Sequence, residues 1–254
     1  MSELKILELV VAAPEGIRFT QSAGTVLHGV LMEHIDHDYA DFLHSNQLNP
    51  YSQYVYFDRK RQQLLWRITA LNKQAAEEVL APAFSLPEKV FLKQKNWALT
   101  IKGKNYISDT SYDDVAAKYF TQECDYNAVE YKFLTSCSFK SNGEYVIFPN
   151  QQLILQSLVK KWNHFAESNK LDEHGIADEL AKNTYVAGYN LSMNPFALEG
   201  TRIPAFRGTY LLAFKKNLML KKIICMLSEF ASFSGIGIKT SLGMGAANYN
   251  FIKW

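Results

Sequence analysis

The order of apolar and polar positions predicts a series of elements along the chain. Glu3-Leu4-Lys5-Ile6-Leu7-Glu8-Leu9-Val10-Val11-Ala12 reads as a strand ended by Pro14-Glu15-Gly16. Apolar residues then recur at helical spacing through Val26, Leu27, Val30, Leu31 and Ile35, and a second short helix carries Tyr39, Phe42 and Leu43. Tyr51 to Phe57 and Leu64 to Leu71 form an expected strand pair, joined through the charged turn Asp58-Arg59-Lys60-Arg61. A helix over 72–81, opened by Asn72 as N-cap, is expected to stop before Pro82, and another strand falls within 88–101.

After a less regular stretch near 105–127 the order repeats. Val129 to Phe139 alternates as a strand, and Leu153 to Phe165 is an amphipathic helix. Strands follow at 184–192 and 208–214. A helix over 217–233 then puts Leu220, Ile223, Ile224, Leu227 and Phe230 on one face. Tyr249, Phe251 and Trp254 alternate as a last strand. Strand, helix, strand, strand, helix, strand therefore occurs twice, and each pass is a split βαβ, ferredoxin-like unit. The expected fold is α+β, with two tandem ferredoxin-like (RRM-like) domains over 1–122 and 123–254. The duplication is topological, without a clear residue-level repeat.

Composition narrows the class. Apolar residues make up 48% and charged residues 20% of 254, a globular rather than disordered balance. Cys124, Cys137 and Cys225 form no C-x-x-C pair and leave an odd one out, which fits a reduced, cytoplasmic protein without a cysteine-based zinc site. The first residues lack the basic region of a signal peptide, and no apolar run approaches the roughly 18 residues of a membrane span. Net charge is only +2, but residues 201–254 hold eight bases against one acid, Glu229. That asymmetry predicts a polyanion-binding face, with a solvated helix face as the plainer account of Lys221 and Lys222.

The segment Gly235-Ile236-Gly237-Ile238-Lys239-Thr240-Ser241-Leu242-Gly243-Met244-Gly245 places two Gly-X-Gly units around a Lys-Thr-Ser core. Glycines let backbone amides approach a ligand, and successive amides form anion sites. The loop follows a helix and precedes a strand, the reverse of a nucleotide-binding P-loop, and it matches neither G-x-G-x-x-G nor G-x-x-x-x-G-K-[ST]. A connection needing glycines only for tight packing is the alternative. Four of six histidines cluster at His28, His34, His37 and His44, and their spacing does not give the H-x-x-x-H pattern of a helical zinc site.

Residues 231–245 resemble the C-terminal glycine-rich signature of the CRISPR repeat-processing endoribonucleases, within the repeat-associated mysterious protein superfamily. Thr135-Ser136-Cys137-Ser138-Phe139, Phe148-Pro149 and Leu158-Val159-Lys160-Lys161-Trp162-Asn163 resemble the start of that family's C-terminal domain. Leu43-His44 followed by Asn49-Pro50-Tyr51-Ser52 resembles its leucine-histidine and downstream aromatic-hydroxyl pattern. Ser111-Tyr112-Asp113-Asp114 resembles a segment near its domain junction. The matches run in order from about residue 25 to 250.

The resemblance implies cleavage of a CRISPR precursor RNA once per repeat, without a metal or other cofactor. The 2′-OH would attack the adjacent phosphorus, leaving a 2′,3′-cyclic phosphate and a 5′-OH. Such chemistry needs a base, an acid, and cations or amides on the phosphate. His44 lies on the family pattern and is the leading acid–base candidate; His37 follows, and His34 could support either. The family's tyrosine and lysine positions fall near Met32 and Asn49 here and do not match; Tyr39, Tyr51, Ser52 or Lys239 could substitute. RNA contacts are expected from Gly235, Gly237, Lys239, Thr240, Ser241, Gly243 and Gly245, and from Arg202, Arg207, Lys215 and Lys216, which flank a strand. Repeat RNA is the expected partner, with a CRISPR effector complex and a homodimer left open and no membrane. The rival reading is a non-catalytic RNA-binding subunit of a CRISPR effector complex.

Overall fold

The computed structural model describes residues 2–17, 21–171, 175–198 and 200–254. β1 (Leu4–Ala12) is the middle strand of an antiparallel sheet with β2 (Tyr51–Asp58), β3 (Gln63–Ala70), β4 (Lys89–Leu92) and β5 (Trp97–Thr110), ordered β2-β3-β1-β5-β4. Leu7, Leu9 and Val11 face one side, where α1 (Gly24–His34) and α2 (His37–Ser45) contribute Val26, Leu27, Leu31 and Leu43 to a shared core. A helical run of α3 (Lys73–Ala75), a π turn (Ala76–Leu80) and α4 (Ala81–Ser85) adds Val79, Leu80 and Ala83.

After α5 (Tyr112–Thr121), a second antiparallel sheet contains β6 (Ala128–Cys137), β9 (Thr184–Met193), β12 (Phe206–Phe214) and β13 (Ala247–Ile252), ordered β13-β6-β12-β9. Its helices are α6 (Gln151–Phe165), α7 (Ile176–Lys182) and α8 (Leu218–Ser234), and two hairpins extend it, β7 (Phe139–Ser141) with β8 (Glu144–Val146) and β10 (Phe196–Leu198) with β11 (Thr201–Ile203). Leaving aside the edge strand β4, both sheets place their strands in the order fourth, first, third, second. That shared order is the tandem ferredoxin-like topology.

Three sequence expectations need correction. The helix does not stop at Pro82, because the π turn precedes it and puts the proline in the first turn of α4, where a missing N–H leaves no gap. The stretch 105–127 is ordered: β5 continues to Thr110, and α5 starts at once with Ser111 Oγ accepting from Asp114 N (3.0 Å). Trp254 lies beyond β13 and is exposed.

The missed helix has a structural consequence. Its apolar face, Tyr112, Val115, Ala116 and Tyr119, packs with α8 and α6 rather than with the first sheet alone. Tyr112 meets Trp162 edge-on at 4.9 Å and donates its hydroxyl to Leu71 O (2.8 Å), so α5 bridges the two sheets. Leu4 and Ile6, on the opposite face of β1 from Leu7, join this same second core. Ser111→Ala should therefore lower unfolding free energy by about 1 kcal/mol, the usual cost of losing an N-cap. A lower urea midpoint at unchanged slope would show it; an unchanged midpoint would remove the cap from the account.

Candidate active site

Gly235 to Gly245 runs from the end of α8 to the approach of β13, and the protein itself takes up most of its amides. Ile236 N donates to Gly245 O (2.8 Å), Ile238 N to Ser138 O (3.1 Å) and Gly245 N to Ser136 O (2.8 Å). Gly237 N donates to Ser157 Oγ (2.9 Å). The expectation of bare amides is thereby narrowed to the N–H groups of Lys239, Thr240 and Ser241. The paired amides stitch the loop to β6 and α6, and Gly235, Gly243 and Gly245 are buried. Gly245 shows why glycine is required: at φ +68, a Cβ there would sit 2.0 Å from Ile236 O. Lys239 is exposed at φ +54, Thr240 is half-buried and Ser241 is buried in a short 3-10 turn (Thr240–Leu242).

Across the loop lies the first helix. Gly24, at the start of α1, faces Leu242 so closely that a Cβ would stand 2.4 Å from its carbonyl oxygen. Gln53 Nε2 clamps the two together, donating to Gly24 O (2.7 Å) and Ser241 O (3.0 Å), while Trp66 Nε1 donates to Gln53 Oε1 (2.7 Å). One turn after Gly24, His28 reaches the hydroxyl of Tyr51 through Nδ1 at 2.7 Å. His44, in the last turn of α2, lies beside it, with ring centroids 6.1 Å apart and ring planes at 72°.

These two histidines differ in environment. His28 is half-buried and its pKa is pulled down to about 4, first by burial and then by the charge of His44, so it is neutral at pH 7. His44 is exposed. His37 opens α2, roughly 10 Å along the axis from His44. Its ring is 88% exposed and stands 3.5 Å from Asp41, so the fold does not bring it to the pair. His34 turns back on its own helix, with Nδ1 2.8 Å from Val30 O. Tyr39 and Tyr51 are both buried, and Tyr51 is fully so; neither is placed to touch a bound polymer. Ser52 is also buried, bonded through Oγ to Phe233 O (2.8 Å).

The basic surplus of residues 201–254 divides. Lys221 Nζ donates to Tyr126 O and Lys222 Nζ to Phe120 O, and Lys253 pairs with Asp125, so these three anchor the α5–β6 connection. Lys215 and Lys216 are exposed just past β12, roughly 27 Å along that strand from Arg207 at its start. Arg207 shares a groove with Tyr56, Arg59 and Asn194, and Arg202 is exposed on β11. That hairpin packs Phe196 and Ile203 onto Met244 and Ile238 of the loop. On the loop's other side a cleft of about 630 Å³ is lined by Asn49, Lys140, Lys160, Lys239 and Thr240. Sequence reasoning did not single out Lys140 or Lys160, although Lys160 falls inside a recognised segment.

Among the described residues, no group of three or more His, Cys, Asp or Glu side chains converges as a metal site. Among the same described residues, no helix is long and apolar enough to cross a membrane.

The site sits in a chain with clear relatives. The family model for the CRISPR-associated endoribonuclease Cas6 matches residues 131–247. A CRISPR-associated endoribonuclease Cas6 from Streptococcus thermophilus is 32% identical over 229 residues, covering 89% of this chain and 90% of that protein. This chain belongs to the Cas6 family. A Mycobacterium tuberculosis Cas6 is 30% identical over 240 residues, covering 94% of this chain and 76% of the relative. In fold, a Cas6 product complex aligns with a TM-score of 0.79 at 21% identity, over 98% of this chain and 100% of that one. Thermus thermophilus Cas6 aligns with a TM-score of 0.76 at 19% identity, over 98% and 99%. The tandem ferredoxin-like arrangement is thus the Cas6 fold.

One support of this Cas6 loop is titratable. Lys161 is buried and donates to Ser234 O (3.1 Å) and Gly235 O (2.9 Å), and burial lowers its pKa from 10.5 to about 7. Between those values the unfolded chain binds more protons than the native protein, so this group makes stability rise as pH rises from about 7 toward 10.5. Lys161→Met should remove that rise. Urea midpoints across this window should climb in the parent relative to the variant, and parallel curves would contradict the assignment.

Proposed function

We propose that this Cas6 protein cleaves CRISPR precursor RNA within the repeat, without a metal, to release guide RNAs. The observation that carries the reading is the pair of imidazoles, His28 and His44, assembled against the glycine-rich loop in a chain of this family. A 2′-oxygen that attacks the adjacent phosphorus forms the 2′,3′-cyclic phosphate as the bond to the 5′-oxygen breaks. No protein nucleophile is needed, but a proton must leave the 2′-OH, a proton must reach the departing 5′-oxygen to give the 5′-OH, and the phosphate's growing charge must be met. His44, exposed and next to His28, serves as the proton-transfer residue. His28 stays neutral and offers a ring N–H to the phosphate. Lys239, with Lys140 and Lys160 across the cleft, and Arg202 on the β10–β11 hairpin with Arg207 just past it hold the RNA backbone on the two sides of the loop, which makes affinity fall with salt.

The test is cleavage of the cognate repeat RNA in EDTA, alongside the same RNA with one 2′-deoxy at the cut site. The first should be cut at one place to a cyclic phosphate end, and the second should stay intact. His44→Ala should slow cleavage by about 100-fold or more, the ordinary worth of a positioned acid or base. Tight binding without any cut would replace this reading with that of a non-catalytic RNA-binding subunit. Undiminished cutting by His44→Ala would take the proton transfer away from His44 and contradict its assigned role.

A further inference from the structure

We propose that the glycine-rich loop acts as the positioning element of the histidine site, holding His28 in a single tautomer through Ser241 and Tyr51. This rests on the functional reading above and assigns the loop a task other than gripping RNA.

The argument begins at Asn49, whose Nδ2 donates to Ser241 Oγ (3.1 Å). The Ser241 hydroxyl stands beside the Tyr51 hydroxyl, which in turn meets His28 Nδ1 at 2.7 Å. Donor chemistry permits one direction along this chain that fixes the ring. An amide NH₂ only donates, so Ser241 Oγ accepts from Asn49 and keeps its own hydrogen available for Tyr51. The phenol oxygen accepts there and directs its hydrogen to Nδ1. The proton of the neutral imidazole is then left on Nε2, the nitrogen away from Tyr51.

Position is set as tightly as protonation. Gly24 and His28 lie one turn apart on α1, and Gly24 is in backbone contact with Leu242 and Gly243 of the loop. Gln53, itself oriented by Trp66, bonds both sides of that contact. A shift of the loop would therefore carry α1 and His28 with it. Burial and the neighbouring His44 keep the His28 ring neutral at pH 7, which is the state in which its tautomer matters. Tyr51 is fully buried, so it is a positioning residue that reaches the RNA only through His28.

The loop should then show two separable functions. Lys239→Ala, at an exposed side chain, should raise the Kd for repeat RNA and leave the His28 tautomer as in the parent. Tyr51→Phe and Ser241→Ala should do the reverse: unchanged Kd, with single-turnover cleavage at saturating protein slowed by about tenfold or more. The decisive readout is ¹⁵N NMR of the full-length, histidine-labelled protein. His28 should carry its proton on Nε2 in the parent and become a mixture of tautomers in Tyr51→Phe, with Ser241→Ala as the second variant should Tyr51→Phe fold poorly. A parent His28 protonated on Nδ1, or parent-like cleavage rates in both variants, would overturn the proposal. The tautomer is read without any RNA. Failure of the parent to cut repeat RNA would overturn the functional reading alone, and the NMR result would still decide the positioning claim.

Discussion

The C-terminal end of α8 is the joint on which the rest of the molecule depends. A helix leaves its last carbonyls without intrahelical donors, and a buried carbonyl left unpaired costs about 1–3 kcal/mol. Here Phe233 O takes hydroxyl hydrogen bonds from Ser52 (2.8 Å) and Thr69 (2.6 Å) of the first sheet. Ser234 O and Gly235 O take the ammonium or amine of Lys161 from α6. The three carbonyls thus tie the second unit's last helix to the first unit's strands and to its own neighbour. The glycine-rich loop departs from that fixed point.

The loop's glycines then have a physical reason different from the one a phosphate cradle would supply. They let backbone meet backbone at Gly24, at β6 and within the loop itself, where any side chain would collide. Most of the amides are occupied by those contacts, leaving the N–H groups of Lys239, Thr240 and Ser241, the exposed Lys239 side chain and the basic groups on either side. The loop thereby brings together two parts of the chain more than 150 residues apart: the imidazoles of α1 and α2 and the basic hairpin of the second unit. The histidine pair sits on two helices, with His28 half-buried and neutral at pH 7 and His44 exposed beside it.

Most elements were legible in the sequence because their periodicity was enforced by burial on one face. Leu7, Leu9 and Val11, or Ile223, Leu227 and Phe230, alternate as their sheet or helix demands. The end of β5 was not legible because Asn105, Tyr106, Ile107 and Asp109 are not covered on either face, so no alternation marks them as strand. α5 carries helical spacing at Tyr112, Val115, Ala116 and Tyr119 together with a Ser111 cap, and that signal was present but unread. At the site, His44 could be placed from its motif, whereas His28 could not be ranked above His34 or His37. Its importance comes from contacts with Tyr51 and the loop, both distant in sequence. The basic count after residue 200 was real, but it could not show that Lys221, Lys222 and Lys253 serve one connection while Arg202 and Arg207 lie elsewhere.

The measurement that bears most directly on this account is the crystal structure of the protein with repeat RNA carrying a 2′-deoxy at the cut site. The account predicts the scissile phosphate between the two imidazoles, with His28 Nε2 at about 3 Å from a phosphate oxygen and His44 within the same reach of the 2′ position. A scissile phosphate lodged in the Arg207 groove or against Lys215, away from both rings, would contradict it.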